Sequence, residues 1–176
     1  MIGNVGSAAP QPKSPVYSHI SGRIGENQAN LTLNQQNDRV DISGSVGVNR
    51  VNVHETISGS SGNISGSVWG SSGYKNVSLW VNNFGGSKSI SGSVGNEHVN
   101  VRQSETGNQI SMSGWVGTKY VNIYGSHNSG SASFSGTVGS GSNSSVWLHA
   151  YESPQGQNVN YEGLIPALLC TERDAH

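Results

Sequence analysis

The feature that most constrains this chain is an internal repeat of about 22 residues. An apolar-Ser-Gly-x-apolar core occurs six times, and successive cores begin 22, 22, 26, 22 and 22 residues apart. The cores begin at Ile20, Ile42, Ile64, Ile90, Met112 and Phe134. After a short polar turn, each core is followed by a second alternating run, such as VNV at 51–53 and at 99–101. Alternation with a period of two is typical of half-buried strands, so the sequence predicts an all-β fold of about twelve strands.

Two architectures fit six strand-turn-strand units. Antiparallel hairpins would form a flattened barrel or a two-layer sandwich whose inner face carries Ile, Val and Gly. In the alternative, a β-solenoid, each unit would be one coil of a stack. Residues that pair across a hairpin share a face, and a two-residue loop after Gly95 would set Val94 opposite Val99. Because a solenoid needs no such even spacing across its turns, the pattern favours hairpins.

The repeats resemble a known kind of fibre protein. The segment SKSISGSVGNEHVNVRQSETGN, which starts at Ser87, is similar in length and in its Gly and Asn turns to the strand-turn-strand units of curli-type fibre subunits. It lacks their regular internal Gln rows. The resemblance covers the repeats and implies a self-assembling fibre or matrix subunit as one alternative function.

The parts of the chain outside the repeats differ from them in composition. We predict a polar segment over 1–19, a six-repeat β domain over 20–152 and a C-terminal extension over 153–176, which could form a helical cap over an open end of the sheet. The first acidic residue is Glu26, and this Ser-containing, acid-free leader resembles the export signals of bacterial effector proteins. It lacks the apolar core of a secretory signal, so we expect either a cytoplasmic location or export without a signal peptide.

Charge and hydropathy restrict the partners. Only 11% of residues are charged and the formal net charge is −1, so no overall basic field would collect phosphates, and nucleic acid is not an expected partner. No apolar stretch approaches the length of a membrane-spanning helix. Self-association stays open.

The sequence offers no recognisable catalytic or metal site, and the prediction is a non-enzymatic protein without a cofactor. The six histidines occur singly, without HxH or HExxH spacing, and no serine stands in a GxSxG turn before a helix. The one cysteine, Cys170, excludes an internal disulfide and gives only a weak suggestion of a thiol nucleophile.

Aromatic residues supply the candidate binding site. The alternation places six of them on the Ser/Asn face: Trp80, Trp115, Tyr120, Tyr124, Trp147 and Tyr151. Flat rings beside hydroxyl and amide groups suit a carbohydrate or a protein partner, because the ring covers apolar C–H groups while Ser and Asn form hydrogen bonds. The competing interpretation is that the rings cover neighbouring glycines and stiffen the sheet. A binding protein is therefore the leading hypothesis, with a fibre subunit and an exported effector or toxin-like protein as alternatives.

Overall fold

The computed structural model describes residues 15–70, 73–128, 130–139, 144–153 and 159–169. Within them lie twelve strands and a 3-10 helix that spans Glu162–Leu169. The strands are β1 (Val16–Ile24), β2 (Asn27–Gln36), β3 (Arg39–Val46), β4 (Asn49–Ser58), β5 (Ser61–Gly70), β6 (Gly73–Asn83), β7 (Ser87–Val94), β8 (Glu97–Thr106), β9 (Gln109–Val116), β10 (Lys119–Asn128), β11 (Ser131–Val138) and β12 (Ser145–Ser153).

The twelve strands form one closed barrel. Each strand pairs with the next along the chain, and β1 closes the ring by pairing antiparallel with β12. This confirms the predicted all-β, twelve-strand antiparallel barrel. The solenoid alternative is wrong, because the two strands of each repeat are hydrogen-bonded neighbours and not facing layers. A closed ring also leaves no free strand edge.

Alternation sorts the side chains between the inside and the outside of the barrel. In β3 and β4, Ile42, Val46 and Val51 are buried, whereas Ser43 and Asn52 are exposed. The same division holds in the other repeats and produces one continuous apolar cluster inside the wall. Removal of this apolar surface from water is the main force that stabilises the fold.

One glycine in each odd-numbered strand lets the wall bend. Gly92 of β7 has a φ of 145°, and a Cβ there would overlap the carbonyl oxygen of Ser78 on β6. The equivalent glycines are Gly22, Gly44, Gly66, Gly114 and Gly136. Glycine kinks repeated at corresponding positions supply the curvature that barrel closure requires.

The hairpin register differs by two residues from the one predicted for the fourth repeat. Val94 pairs with Glu97, and Val99 pairs with Gly92. The loop begins at Gly95, whose φ of 61° is the conformation that the first central residue of a type II′ turn requires. Because the shift is even, Val94 and Val99 still share the inner face.

The C-terminal segment fills the barrel. Tyr161, Leu164, Ile165 and Leu168 are buried in the same apolar cluster as the strands, and the 3-10 helix contacts β3, β4, β5 and β9. We expected the extension to cover an open end of a sheet. A closed barrel has no open edge, and the described part of the extension packs into the apolar cluster inside the wall, with contacts to Lys88 and Glu152 near the ends of β7 and β12.

Candidate functional site

All six aromatic side chains proposed for binding point outward from the barrel. Their exposed fractions are 58% for Trp80, 52% for Trp115, 45% for Tyr120, 61% for Tyr124, 60% for Trp147 and 61% for Tyr151. Five of them lie on β9, β10 and β12, while Trp80 lies apart on β6. They share the outer wall, but they do not form a single cluster.

Direct strand pairing arranges the outer residues in rows that cross the strands. One row, which we call the ring row, runs from β8 to β12 and consists of Ser104, Ser111, Tyr124, Ser135 and Trp147. Neighbouring strands are about 4.8 Å apart, so the backbones that carry the two rings flanking Ser135 are about 10 Å apart. The row therefore presents two exposed aromatic rings with a hydroxyl group between them.

A groove of about 530 Å³ lies over β8–β11, beside the ring row. We call it the serine groove, and it is lined by Ser104, Thr106, Gln109, Ile110, Ser111, Tyr124, Gly125, Ser126, Ser133 and Ser135. Among these described lining residues, Tyr124 is the one aromatic ring. The groove forms because two adjacent rows carry mostly small hydroxyl side chains, which leave a recess next to that ring.

The lining is rich in groups that both donate and accept hydrogen bonds. Each serine hydroxyl has one donor hydrogen and two acceptor lone pairs, and Gln109 adds an amide. The hydroxyl oxygens of Ser126 and Ser133 lie 3.1 Å apart and form a hydrogen bond with each other. The described lining residues include no Asp, Glu, His, Cys, Lys or Arg.

The other proposed aromatics contact their own neighbours on the wall. Trp115 and Tyr120 pack edge to face, with ring centroids 5.3 Å apart and an interplanar angle of 72°. Tyr151 packs against His149 on the same strand, with centroids 4.5 Å apart. Of the six residues, the structure thus places Tyr124 in the groove and Trp147 next to it in the ring row.

The serines of the groove and four further exposed rings, Tyr17, Trp69, Tyr74 and Phe84, were not identified from the sequence. The serines were not singled out because serine is common throughout the repeats. Their grouping depends on which strand residues stand opposite each other, and the register predicted for the hairpins was two residues off. With glycine assigned to the first position of the turn between β9 and β10, the pairing of Ser111 with Tyr124 could have been read directly. The pairing of Tyr124 with Ser135 could not, because the glycine of the next turn, Gly130, stands second.

A second cluster is buried where the C-terminal segment meets β4 and β7. The ammonium of Lys88 donates to Glu162 Oε1 at 3.0 Å and lies 3.8 Å from Glu105 Oε1. Neither carboxyl oxygen of Glu55, which is 2% exposed, has a hydrogen-bond partner among the described residues. Burial, reinforced by the nearby Glu162 carboxylate, raises the pKa of Glu55 to about 9, so at neutral pH Glu55 carries a proton.

The carboxyl groups around Lys88 favour its charged form. Burial alone would lower the pKa of Lys88, but the carboxylates of Glu162, Glu105 and Glu55 raise it above its ordinary value. Lys88 also donates to Asn160 Oδ1 at 3.1 Å. The lysine therefore anchors the C-terminal segment to the wall with an ion pair and a hydrogen bond.

A third group of polar residues anchors Tyr161. Its hydroxyl donates a short hydrogen bond to Glu152, and Glu152 also lies 2.8 Å from His127 Nε2. Burial, together with the hydrogen bond to Glu152, raises the pKa of Tyr161 far above its ordinary value. The ring packs edge to face on Phe134 with centroids 5.1 Å apart. These contacts hold the segment in the barrel.

The cavity beside Glu55 and Lys88 is small. Its volume is about 80 Å³, room for two or three water molecules at about 30 Å³ each. Within the described ranges no three His, Cys, Asp or Glu residues are grouped so that they could hold a metal ion. Cys170 lies outside the described residues. We therefore treat the buried clusters as supports of the C-terminal segment and the serine groove as the candidate site.

Among the residues that the structure describes, no helix has the length and apolar character needed to cross a membrane. Comparison with models of protein families, with curated proteins and with solved structures found no match. The serine groove on the outer wall therefore remains the basis for proposing a function.

Proposed function

We propose that this protein binds carbohydrate through the serine groove and the adjoining ring row. The observation that carries the proposal is the position of Tyr124, an exposed ring in a groove of about 530 Å³ whose other lining residues are mostly small and hydroxylated. A sugar ring offers an apolar C–H face to the tyrosine and hydroxyl groups to the serines. Both halves of that recognition are present side by side.

The ring row suggests how a chain of sugars would lie. Tyr124 and Trp147 belong to one row that runs across the strands, with backbones about 10 Å apart and Ser135 on the strand between them. A linear oligosaccharide laid along this row would contact both rings and place its middle hydroxyls over the serine. This arrangement favours an extended ligand over a single sugar.

The alternatives receive less support from the molecule. A fibre that grows by joining strand edges needs free edges, and the closed barrel has none. The effector hypothesis depends on the N-terminal leader, of which residues 1–14 lie outside the described part of the chain. A protein partner usually buries a contiguous apolar centre, whereas this groove is lined mainly by hydroxyl groups.

The test compares one tyrosine variant and one tryptophan variant with the native protein on an array of soluble oligosaccharides. Titration calorimetry then measures the affinity for the strongest ligands. Tyr124→Ala removes the ring in the groove and should weaken binding about tenfold, which corresponds to about 1.4 kcal/mol. Trp80→Ala is the matched control, because Trp80 is almost equally exposed (58%) but lies on β6, away from the groove. Equal losses in both variants, or no binding to any glycan at millimolar concentration, would refute the proposal.

A further inference from the structure

Charge is segregated between the inside and the outside of the barrel, although the formal net charge of the whole chain is only −1. Among the described residues, four arginines belong to the outward-facing set of the strands: Arg23, Arg39, Arg50 and Arg102. The one outward-facing acidic residue is Asp41, which forms an ion pair with Arg39 at 3.1 Å.

The remaining acidic residues of the described chain lie elsewhere. Glu55, Glu152 and Glu162 are buried, and Glu26 and Asp38 lie in hairpin turns. Glu97 and Glu105 pair with the inward residues Val94 and Ile110, at the two ends of the barrel. Apart from Asp41, the described strands therefore carry their acidic side chains on the inside or at the rims and their arginines on the outside.

The serine groove lies in a part of the wall whose described outward-facing side chains include arginine but no acidic residue. From β8 through β12 to β1, the described outward-facing side chains include Arg102 and Arg23 and no Asp or Glu. No described carboxylate lies within 4.0 Å of either guanidinium. Among the residues that the structure describes, both arginines therefore have no acidic partner.

The two arginines flank the groove on opposite sides. Arg23 stands directly opposite Trp147 and so extends the ring row by one strand; it is three strand spacings, or about 14 Å, from Tyr124. Arg102 lies on β8, two residues before the groove residue Ser104. The ring row therefore leads to Arg23 beyond Trp147, whereas Arg102 lies one row away from it, at the β8 side of the groove.

We infer that the glycan bound by the serine groove is anionic, an oligosaccharide whose carboxylate or sulfate groups are met by Arg23 and Arg102; this rests on the proposed function. A guanidinium matches a carboxylate or sulfate with two parallel N–H donors, which gives shorter and stronger hydrogen bonds than neutral pairs. The charge of these two arginines, which form no ion pair with a described carboxylate, also attracts such a chain at a distance.

Single-stranded nucleic acid is the competing polyanion, since its bases stack on rings and its phosphates pair with arginine. The lining favours the glycan. Successive bases need successive rings, whereas the two rings of the ring row are separated by Ser135 and the described groove lining has one ring among five serines. Serine hydroxyls match the hydroxyl groups that a sugar offers at every residue. An oligothymidylate of similar length serves as the nucleic-acid probe in the test.

The test compares acidic oligosaccharides with their own methyl esters, which keep the backbone and lose the charge. Three backbones are used: oligogalacturonate, oligomannuronate and a hyaluronan fragment. We expect the acid form of at least one to bind at least tenfold tighter than its ester at 50 mM NaCl, and the ratio to shrink towards one at 500 mM NaCl as salt screens the arginines. Arg23→Gln and Arg102→Gln should each reduce binding of the acid form several-fold and leave binding of the ester unchanged.

Arg50→Gln is the matched control, because Arg50 also faces outward but lies on β4, opposite Ser45 and Trp69 and away from the groove. Equal affinity for acid and ester would overturn the inference while the carbohydrate proposal stands. Tighter binding of oligothymidylate than of any acidic glycan would also overturn it. If the native protein binds no glycan, neutral or acidic, the proposed function itself is contradicted.

Discussion

Replacement of Glu55 by glutamine should stabilise this protein at neutral pH. In the unfolded chain the pKa of the Glu55 carboxyl has its ordinary value of 4.5, whereas in the barrel burial and Glu162 raise it to about 9. Folding therefore takes up a proton between these two pH values. The contribution of protonated Glu55 to stability is fully present below pH 4.5 and is lost as the pH rises towards 9. At about 1.4 kcal/mol per pH unit, the loss amounts to about 3 kcal/mol at pH 7.

Glutamine removes this loss while keeping the size of the side chain. Its amide can donate a hydrogen bond to the Glu162 carboxylate, as the protonated carboxyl of Glu55 can, and the ion pair between Lys88 and Glu162 at 3.0 Å stays in place. We expect Glu55→Gln to raise the free energy of unfolding by about 2–3 kcal/mol at pH 7 and to leave it unchanged at pH 4.

The assay is urea unfolding followed by tryptophan fluorescence at pH 4, 5.5, 7 and 8.5. Glu105→Gln is the matched control: this carboxylate also approaches Lys88, at 3.8 Å, but its side chain is 45% exposed, so the variant should show little pH-dependent gain. The reasoning is refuted if Glu55→Gln is less stable than the native protein at pH 7, or if the difference between them does not change with pH.

Two further predictions concern the wall. Gly92→Ala should lower the free energy of unfolding by at least about 2 kcal/mol, because a Cβ there overlaps the neighbouring strand and the backbone has a positive φ; urea unfolding measures it. Cysteines placed at Ser93 and His98, in a chain whose own cysteine is replaced by serine, should form a disulfide within the monomer, because these residues stand directly opposite each other; non-reducing electrophoresis and mass spectrometry detect it.

Each of these predictions has its own control. Gly107→Ala lies in a hairpin turn with nothing within 4 Å of the added Cβ, so it should cost only about 1 kcal/mol, and an equal cost at both glycines would contradict the role of crowding. For the disulfide, cysteines at Val94 and Val99 should stay reduced. Efficient linkage of that pair would restore the register predicted from the sequence.

More of the barrel wall than of the C-terminal segment inside it could be predicted from the sequence. The period of two decides which side chains face inward, and that alone gave the strand count and the outward direction of Tyr124 and Trp147. The register was missed because Gly95, and not Asn96, opens the turn. With the register off by two residues, the rows that create the serine groove could not be read from the sequence.

The charge segregation was readable in principle. Arg102 alternates with inward valines on β8, whereas Glu55 shares the inward parity of Val51 and Val53. The net charge of −1 hides this division because it sums the charges of the inward-facing and the outward-facing side chains. The place of the C-terminal segment could not be predicted, because the repeats specify a wall without specifying what fills it, and the contacts of Lys88 and Tyr161 join residues far apart in sequence.

The closure of the barrel has a consequence for how the chain folds. Eleven of the twelve strand pairings join consecutive strands, so they can form as local hairpins with little loss of chain entropy. The seam between β1 and β12 instead brings together residues such as Ile20 and Ala150. Non-local contacts of this kind form slowly. We therefore expect the hairpins to assemble first, as an open curved sheet, and the rate-limiting step to be the joining of the seam around the C-terminal segment.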